Sequence, residues 1–259
     1  MIPKKIHYCW FGGNPLPELA LKCIESWKKF CPDYEIIEWN ERNFDINCCD
    51  YVKEAYAAKK WAFVSDYARF KILYEYGGLY FDTDVEIIKP FNDIVSSGGF
   101  MGREKADVFV VNPGLGLGTE PHSKLIGEFL EAYHSRHFVL SDGSLNLKTV
   151  VDYTTELLKK YGLKTTNEIQ KIEGITIYPQ EYFCPMDYDT GELYISPETH
   201  SIHRYTASWH SKSEKCADLL KRKYIRFMPR KAAAILATSV AKMRYDGFAA
   251  FLKWAFKRR

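Results

Sequence analysis

The sequence predicts an α/β fold, a mostly parallel sheet covered by helices, followed by a basic helical tail. Three observations predict it. Strand-like and helix-like apolar patterns alternate from residue 6 to about residue 178, as in parallel strands joined by crossover helices. With 259 residues the chain can bury a sizeable core. Charge is also divided unevenly: residues 212–259 hold 14 Lys and Arg against three acids, a net of +11, which leaves −8 for residues 1–211. Residues 1–211 are therefore taken as one domain and residues 212–259 as its tail.

The elements follow in order. IHYCWF (6–11) is a short buried strand closed by Gly12-Gly13-Asn14-Pro15, and PELALKCIESWKKF (17–30) is an amphipathic helix with Pro near its start. Tyr34 to Trp39 is a second strand. A helical stretch from about Tyr51 leads into WAFVSDYARFKILYEY (61–76), where Val64, Ala68, Ile72 and Tyr76 form an i, i+4 stripe. Gly77 suits a helix end that needs positive φ. Leu79 to Phe81 is a strand and Val85 to Ile88 a second extended piece before Pro90. Aromatic, Gly and Pro residues make 179–199 loop-like, and the last 45 or so residues are helical with a break at Pro229.

Composition narrows the function classes. An acidic body argues against a basic nucleic-acid groove, while the tail points to an anionic surface. The aromatic share of 15% suits planar or sugar-like ligands, though aromatic residues also fill cores. The Cys count is odd, at seven, without a C-x-x-C pair; the start MIPKKIHYCW lacks a long apolar run, and no stretch approaches a membrane span. Reduced thiols and a cytoplasmic location are the expectation.

Chemistry concentrates in GGLYFDTDVEI (77–87). Asp82 and Asp84 leave an apolar strand end, where α/β folds place ligand sites, and carboxylates tolerate such company only when paired. On an extended backbone both would face one cation, with Thr83 turned away. Magnesium or manganese suits such oxygen donors, with phosphates and water completing the shell. An EF-hand loop fails, since Val85-Glu86-Ile87 follows. A D-x-D phosphatase fits poorly, because Glu86 stands where Thr or Val is expected and no partner Lys is evident. In the preceding helix, Asp66 and Arg69 share a face. They form either a local ion pair or a polar clamp for sugar hydroxyls and phosphate. In THSIHRYTASWH (199–210), His203 and Trp209 could reach the same site, His203 as a metal ligand and Trp209 as an indole N–H donor to a phosphate oxygen.

Four stretches in order, IPKKIHYCWFGG, SDYARFKILYEYGGLYFDTDVEI, IYPQEYFCP and HRYTASW, resemble glycosyltransferase family 32 over residues 1 to about 210. That group holds DXD-containing sugar transferases of bacterial capsule and surface-polysaccharide synthesis, with the clostridial glucosylating toxins as distant relatives. The resemblance implies a GT-A fold, a Rossmann-like domain binding a nucleotide-sugar and usually manganese, and transfer with retention of configuration. It implies that Trp10 stacks on the nucleobase, that Asp66 and Arg69 contact ribose and donor sugar, and that Asp82 and Asp84 hold the metal, Asp84 more directly. His203 and Trp209 match the late motif that closes over the diphosphate. Arg204 replaces its second His, so His203 is the remaining candidate ligand and Ser208 a weaker one. No catalytic base is evident; Arg69 and Trp209 would stabilise the leaving diphosphate. The expected function is metal-dependent, retaining transfer of a hexose from a UDP-type donor to a glycan or lipid-linked glycan acceptor. The rivals are a nucleotide-sugar-binding protein without turnover and the phosphatase.

The tail adds one expectation. Phe248, Phe251, Leu252, Ala255 and Phe256 form a helical stripe, with Lys253, Lys257, Arg258 and Arg259 outside it. The stripe either packs on the body or lies on an anionic membrane, the latter placing the protein peripherally on the inner face of the cytoplasmic membrane.

Overall fold

A computed structural model describes residues 1–105, 109–206 and 211–256. The chain divides into two units, Met1–Pro185 with Tyr194–Arg204, and Met186–Leu193 with Tyr205–Arg259.

The first unit runs β1 (Lys5–Cys9), α1 (Glu18–Phe30), β2 (Glu35–Trp39), α2 (Asp50–Ala57), α3 (Trp61–Tyr76), β3 (Gly78–Tyr80), β4 (Val85–Ile87) and α4 (Asn92–Ser96). It continues with β5 (Gly99–Lys105), β6 (Val110–Thr119), α5 (Lys124–His134), α6 (Val150–Lys160), β7 (Gln170–Ile172), β8 (Ile175–Tyr178), α7 (Gln180–Phe183) and β9 (Ser201–His203). Seven strands form one sheet in the order β2-β1-β3-β6-β5-β8-β7. The pairings set β1, β2, β3, β5 and β8 in one direction and only β6 and β7 against it. The mostly parallel sheet that strand–helix alternation predicts is the one observed, and its carboxyl edge is where α/β folds gather ligands.

The helices form for different reasons. In α1 the buried Ala20, Cys23, Ile24 and Trp27 lie at i, i+3, i+4 and i+7, one face toward the core. The central helix α3 has the bounds its sequence pattern predicts, but it is buried on nearly every side, from Phe63 to Leu73. Phe70 stacks on Phe129 of α5 with ring centroids 4.7 Å apart, tying α3 into the core. Its termination at Gly77 is steric: φ is +60°, and a Cβ there would lie 2.7 Å from Pro121.

A buried histidine locks β1, β2 and the end of α3 together. The Trp39 indole N–H donates to His7 Nδ1 at 3.0 Å, and His7 Nε2 lies 3.0 Å from the Gly77 carbonyl, to which it donates. Burial pushes the His7 pKa down from 6.5 to about 4. The unfolded chain takes up a proton below pH 6.5, whereas the folded chain resists until about 4, so this stability is full above 6.5 and falls through that window. At about 1.4 kcal/mol per pKa unit, roughly 3 kcal/mol should be lost between neutral pH and pH 4. Urea titrations across that range check it: His7→Gln should flatten the acid limb, and an unchanged slope defeats the assignment.

The second unit holds α8 (Lys212–Tyr224), α9 (Arg230–Tyr245) and α10 (Phe248–Phe256). A capping box opens α8: Ser211 Oγ accepts from the Glu214 N–H while Glu214 accepts from the Ser211 N–H. Helix α9 packs against α8 and has Ala233, Ala237 and Ala241 buried in one small-residue row. None of the α10 residues is buried.

Candidate active site

Because α3 is enclosed, the charges the sequence puts on it must be satisfied internally. Asp66 is 7% exposed and Arg69 3%. Arg69 Nη2 donates to Asp66 Oδ1 at 2.9 Å and lies 3.3 Å from Asp82 Oδ1. Arg69 Nε donates to the Ser65 carbonyl, and the guanidinium sits 4.9 Å from the Tyr80 ring centroid. Tyr80 in turn donates its hydroxyl proton to Asp82 Oδ1 at 3.0 Å. The predicted Asp66–Arg69 pair is thus both a local ion pair and the inner wall of the Asp82 site. Among the described residues, the buried Arg69 Nη1 has no hydrogen-bond partner.

Two further elements complete this wall. The Thr149–Asp152 capping box that opens α6 leaves the Val150 N–H to donate to Asp66 Oδ2 at 3.3 Å. Strand β6 runs past the end of β3, so the Gly114 carbonyl accepts from the Asp82 N–H at 2.9 Å, and Asn112 Oδ1 accepts from the Gly114 N–H at 2.7 Å. Burial pushes the Asp66 carboxyl up to about 6, against the pull of Arg69 and with the help of the Asp82 charge. Burial alone would lower the Arg69 pKa, but Asp82, Tyr80 and Asp66 hold it above its ordinary value.

Gly114 belongs to the site because nothing larger fits. A Cβ there would lie 1.9 Å from Asp82 Oδ2 and 3.0 Å from Asn112 Oδ1. Gly114→Ala should swing the Asp82 carboxylate away from Arg69, lowering turnover more than about tenfold for an overpacking cost of about 1–3 kcal/mol. Steady-state kinetics beside a thermal melt check this; turnover within twofold of the parent protein overturns it.

Asp84 is held on the other side. The extended Asp82-Thr83-Asp84 geometry expected from sequence is not observed: the Val85 N–H donates to the Asp82 carbonyl at 3.0 Å, closing a turn. The turn sends the two carboxylates to different neighbours. Antiparallel pairing of β4 with β9 sets Val85 opposite His203, and His203 Nε2 lies 3.3 Å from Asp84 Oδ1. Burial would favour neutral imidazole, but Asp84, with Cys184 behind it, holds the His203 pKa well above its ordinary value. One register step on, Arg204 is an ion-pair partner of Glu86, its Nε donating at 2.7 Å.

Trp10 leaves the carboxyl end of β1, the strand beside β3, and is half-buried; its indole N–H donates to the Asn14 carbonyl at 2.6 Å. The structure therefore joins Asp66, Arg69 and Asp82 directly, joins Asp84 to His203, and sets Trp10 on the same sheet edge. Trp209 and Ser208 lie outside the described residues. Sequence reasoning missed Tyr80, Asn112 and Gly114. A Pro-flanked Asn and Gly in VVNPGLGLGT was the only available signal.

The donor set fits a hard divalent cation. Asp82 and Asp84 present carboxylate oxygens with side chains 30% and 13% exposed, beside an orphaned guanidinium N–H suited to a bound anion. Among the described residues, no three His, Cys, Asp or Glu side chains converge as a cage. Magnesium-type ions are commonly held by one or two carboxylates with substrate phosphates, so a cage is not required.

Residues 17–100, which contain α3 and the Asp82–Asp84 turn, match the glycosyltransferase sugar-binding region containing DXD motif. An uncharacterized glycosyltransferase of Acanthamoeba polyphaga mimivirus is 26% identical over 88% of this chain and 92% of its own length. Inositol phosphoceramide mannosyltransferase 1 of Schizosaccharomyces pombe is 31% identical over 39% of this chain and 33% of its own. Among solved structures, the PaToxG glycosyltransferase aligns with a TM-score of 0.49 at 21% identity, covering 61% of this chain and 69% of that one. These sequence matches make the chain a glycosyltransferase, with residues 17–100 similar to the sugar-binding region containing DXD motif.

Proposed function

We propose that the protein transfers a hexose from a nucleotide diphosphate sugar, a UDP-sugar, to a glycan acceptor, with retention of configuration and with bound manganese or magnesium. The observation that carries this reading is the buried Asp66–Arg69 pair joined to Asp82 beside Asp84, with Arg69 Nη1 left as a buried donor at the carboxyl edge of the sheet. Asp82 and Asp84 would hold the cation, with His203 in reach of Asp84 as the third candidate ligand. When bound, the cation neutralises charge that develops on the departing diphosphate.

The chain's own groups do the rest. The Trp10 ring stacks on the nucleobase, and Asp66 accepts hydrogen bonds from sugar hydroxyls. Arg69 is fixed by two carboxylates before any ligand arrives, so its remaining N–H can stabilise the diphosphate without reorganising. By the family resemblance Trp209 would donate its indole N–H to the diphosphate and Ser208 would be a weaker candidate ligand; both lie outside the described residues. The acceptor hydroxyl attacks the anomeric carbon on the face the diphosphate leaves; as the sugar–diphosphate C–O bond breaks, a departing phosphate oxygen takes the hydroxyl proton, so no side chain need act as a base. A lipid-linked glycan in surface or capsular polysaccharide synthesis is the acceptor class; the ceramide-borne substrate in the name of the Schizosaccharomyces pombe relative supports a lipid carrier.

Incubation with a panel of UDP- and GDP-sugars, with manganese or with a chelator, tests the reading. Metal-dependent release of nucleoside diphosphate, doubled by transfer to an added glycan, is expected. Binding without turnover would make it a nucleotide-sugar-binding protein, and hydrolysis of phosphomonoesters alone would make it a phosphatase.

A further inference from the structure

The α8–α10 unit carries apolar surface that its own packing does not use. The Ala233–Ala237–Ala241 row is buried, whereas Ile235, Leu236 and Met243, elsewhere on the same helix, stay 44%, 41% and 47% exposed. At 100° per residue, Ile235 and Met243 each fall 200° from a buried alanine two positions away, on the opposite side of α9. Helix α10 continues the exposure: Phe248 and Phe256 are 65% and 68% exposed, and Leu252, one turn from each, is 37% exposed. Large side chains left in water in such number mark a surface made to be covered.

Charge identifies the cover. Residues 212–259, which contain these helices, carry a net of +11, while the rest of the chain carries −8. A second copy meeting it tail to tail would bring +11 against +11. A nucleic acid would match the cations but leave Phe248, Leu252 and Phe256 in water. An anionic bilayer answers both features, taking the apolar side chains at the headgroup boundary and the Lys and Arg at its charged surface. No described helix is long and apolar enough to cross a membrane, so the helices would lie in the surface plane.

We propose that α9 and α10 dock on an anionic lipid surface through Ile235, Leu236, Met243, Phe248, Leu252 and Phe256, with the surrounding Lys and Arg on the headgroups. The inference stands apart from the donor, metal and acceptor proposed above, because docking is read without turnover.

Flotation of the full chain with phosphatidylcholine vesicles, with and without a minority of phosphatidylglycerol, tests it. Binding is expected only with phosphatidylglycerol and should weaken as salt rises, since each surface cation contributes about fivefold. The triple variant Leu236→Ser, Phe248→Ser, Phe256→Ser keeps every charge and changes only exposed positions, so its circular dichroism should match the parent's. Its partition coefficient should fall more than about tenfold, given the transfer free energy of each large apolar side chain. Absence of binding by the parent chain, equal binding to neutral vesicles, or equal binding by the triple variant overturns the proposal. So does a dimer in sedimentation velocity that the same variant dissociates, which would make a second copy the cover.

Discussion

Asp84→Asn is expected to cut metal-dependent turnover by at least about a hundredfold, about 2.7 kcal/mol of barrier, while the fold persists. The change keeps size and hydrogen-bonding capacity but removes the charge a hard cation needs. Folding should survive because the partner of Asp84, His203, can shed a proton and remain as neutral imidazole. Initial rates over a manganese titration, with a urea curve beside them, give the answer. Turnover above a tenth of the parent's would mean that Asp84 is not a principal ligand.

Arg69→Met should act in the opposite way, on the fold before the chemistry. Met approximates the length and helix preference of Arg, but it leaves Asp66 and Asp82 facing each other without their shared cation. Removing one member of a buried ionic network typically costs about 3–5 kcal/mol, most of it from the charge left behind. The urea midpoint should fall accordingly, and adding Asp66→Leu should recover part of the loss, a coupling that a double-mutant cycle measures. A single-variant loss below about 1 kcal/mol would show that water reaches the pair, because exposed pairs contribute no more than that.

Much of this was legible in the sequence, and the illegible parts share a cause. Helix α3 could be bounded to the residue because apolar periodicity and Gly77 are local signals. The carboxylates could be singled out because Leu79, Tyr80 and Phe81 precede them. Their separation into two environments could not be foreseen. It depends on β4 pairing with β9 more than a hundred residues later, and on a turn hydrogen bond that overrides the extended conformation. Strand β6 escaped notice because Pro113 and three glycines weaken any strand pattern, and Asn112 and Gly114 went with it. The tail's stripe on α10 was visible from spacing, but the apolar face of α9 emerged only once its alanine row was seen buried.

The unequal anchoring of the two aspartates has a consequence for how this protein can decay over generations. Asp66 and Arg69 are buried and hold Asp82 in one ionic network, so mutations that break it yield chains that fail to fold and are cleared before they accumulate. Asp84 is tied instead to His203, which can turn neutral, so a substitution there silences chemistry and leaves a well-folded descendant. A lineage drifting from catalysis toward mere sugar recognition would therefore lose the second aspartate of the motif and keep the first. Genes that retain Asp82 with its arginine but carry Asn or Ser in place of Asp84 would be the fossils of that drift.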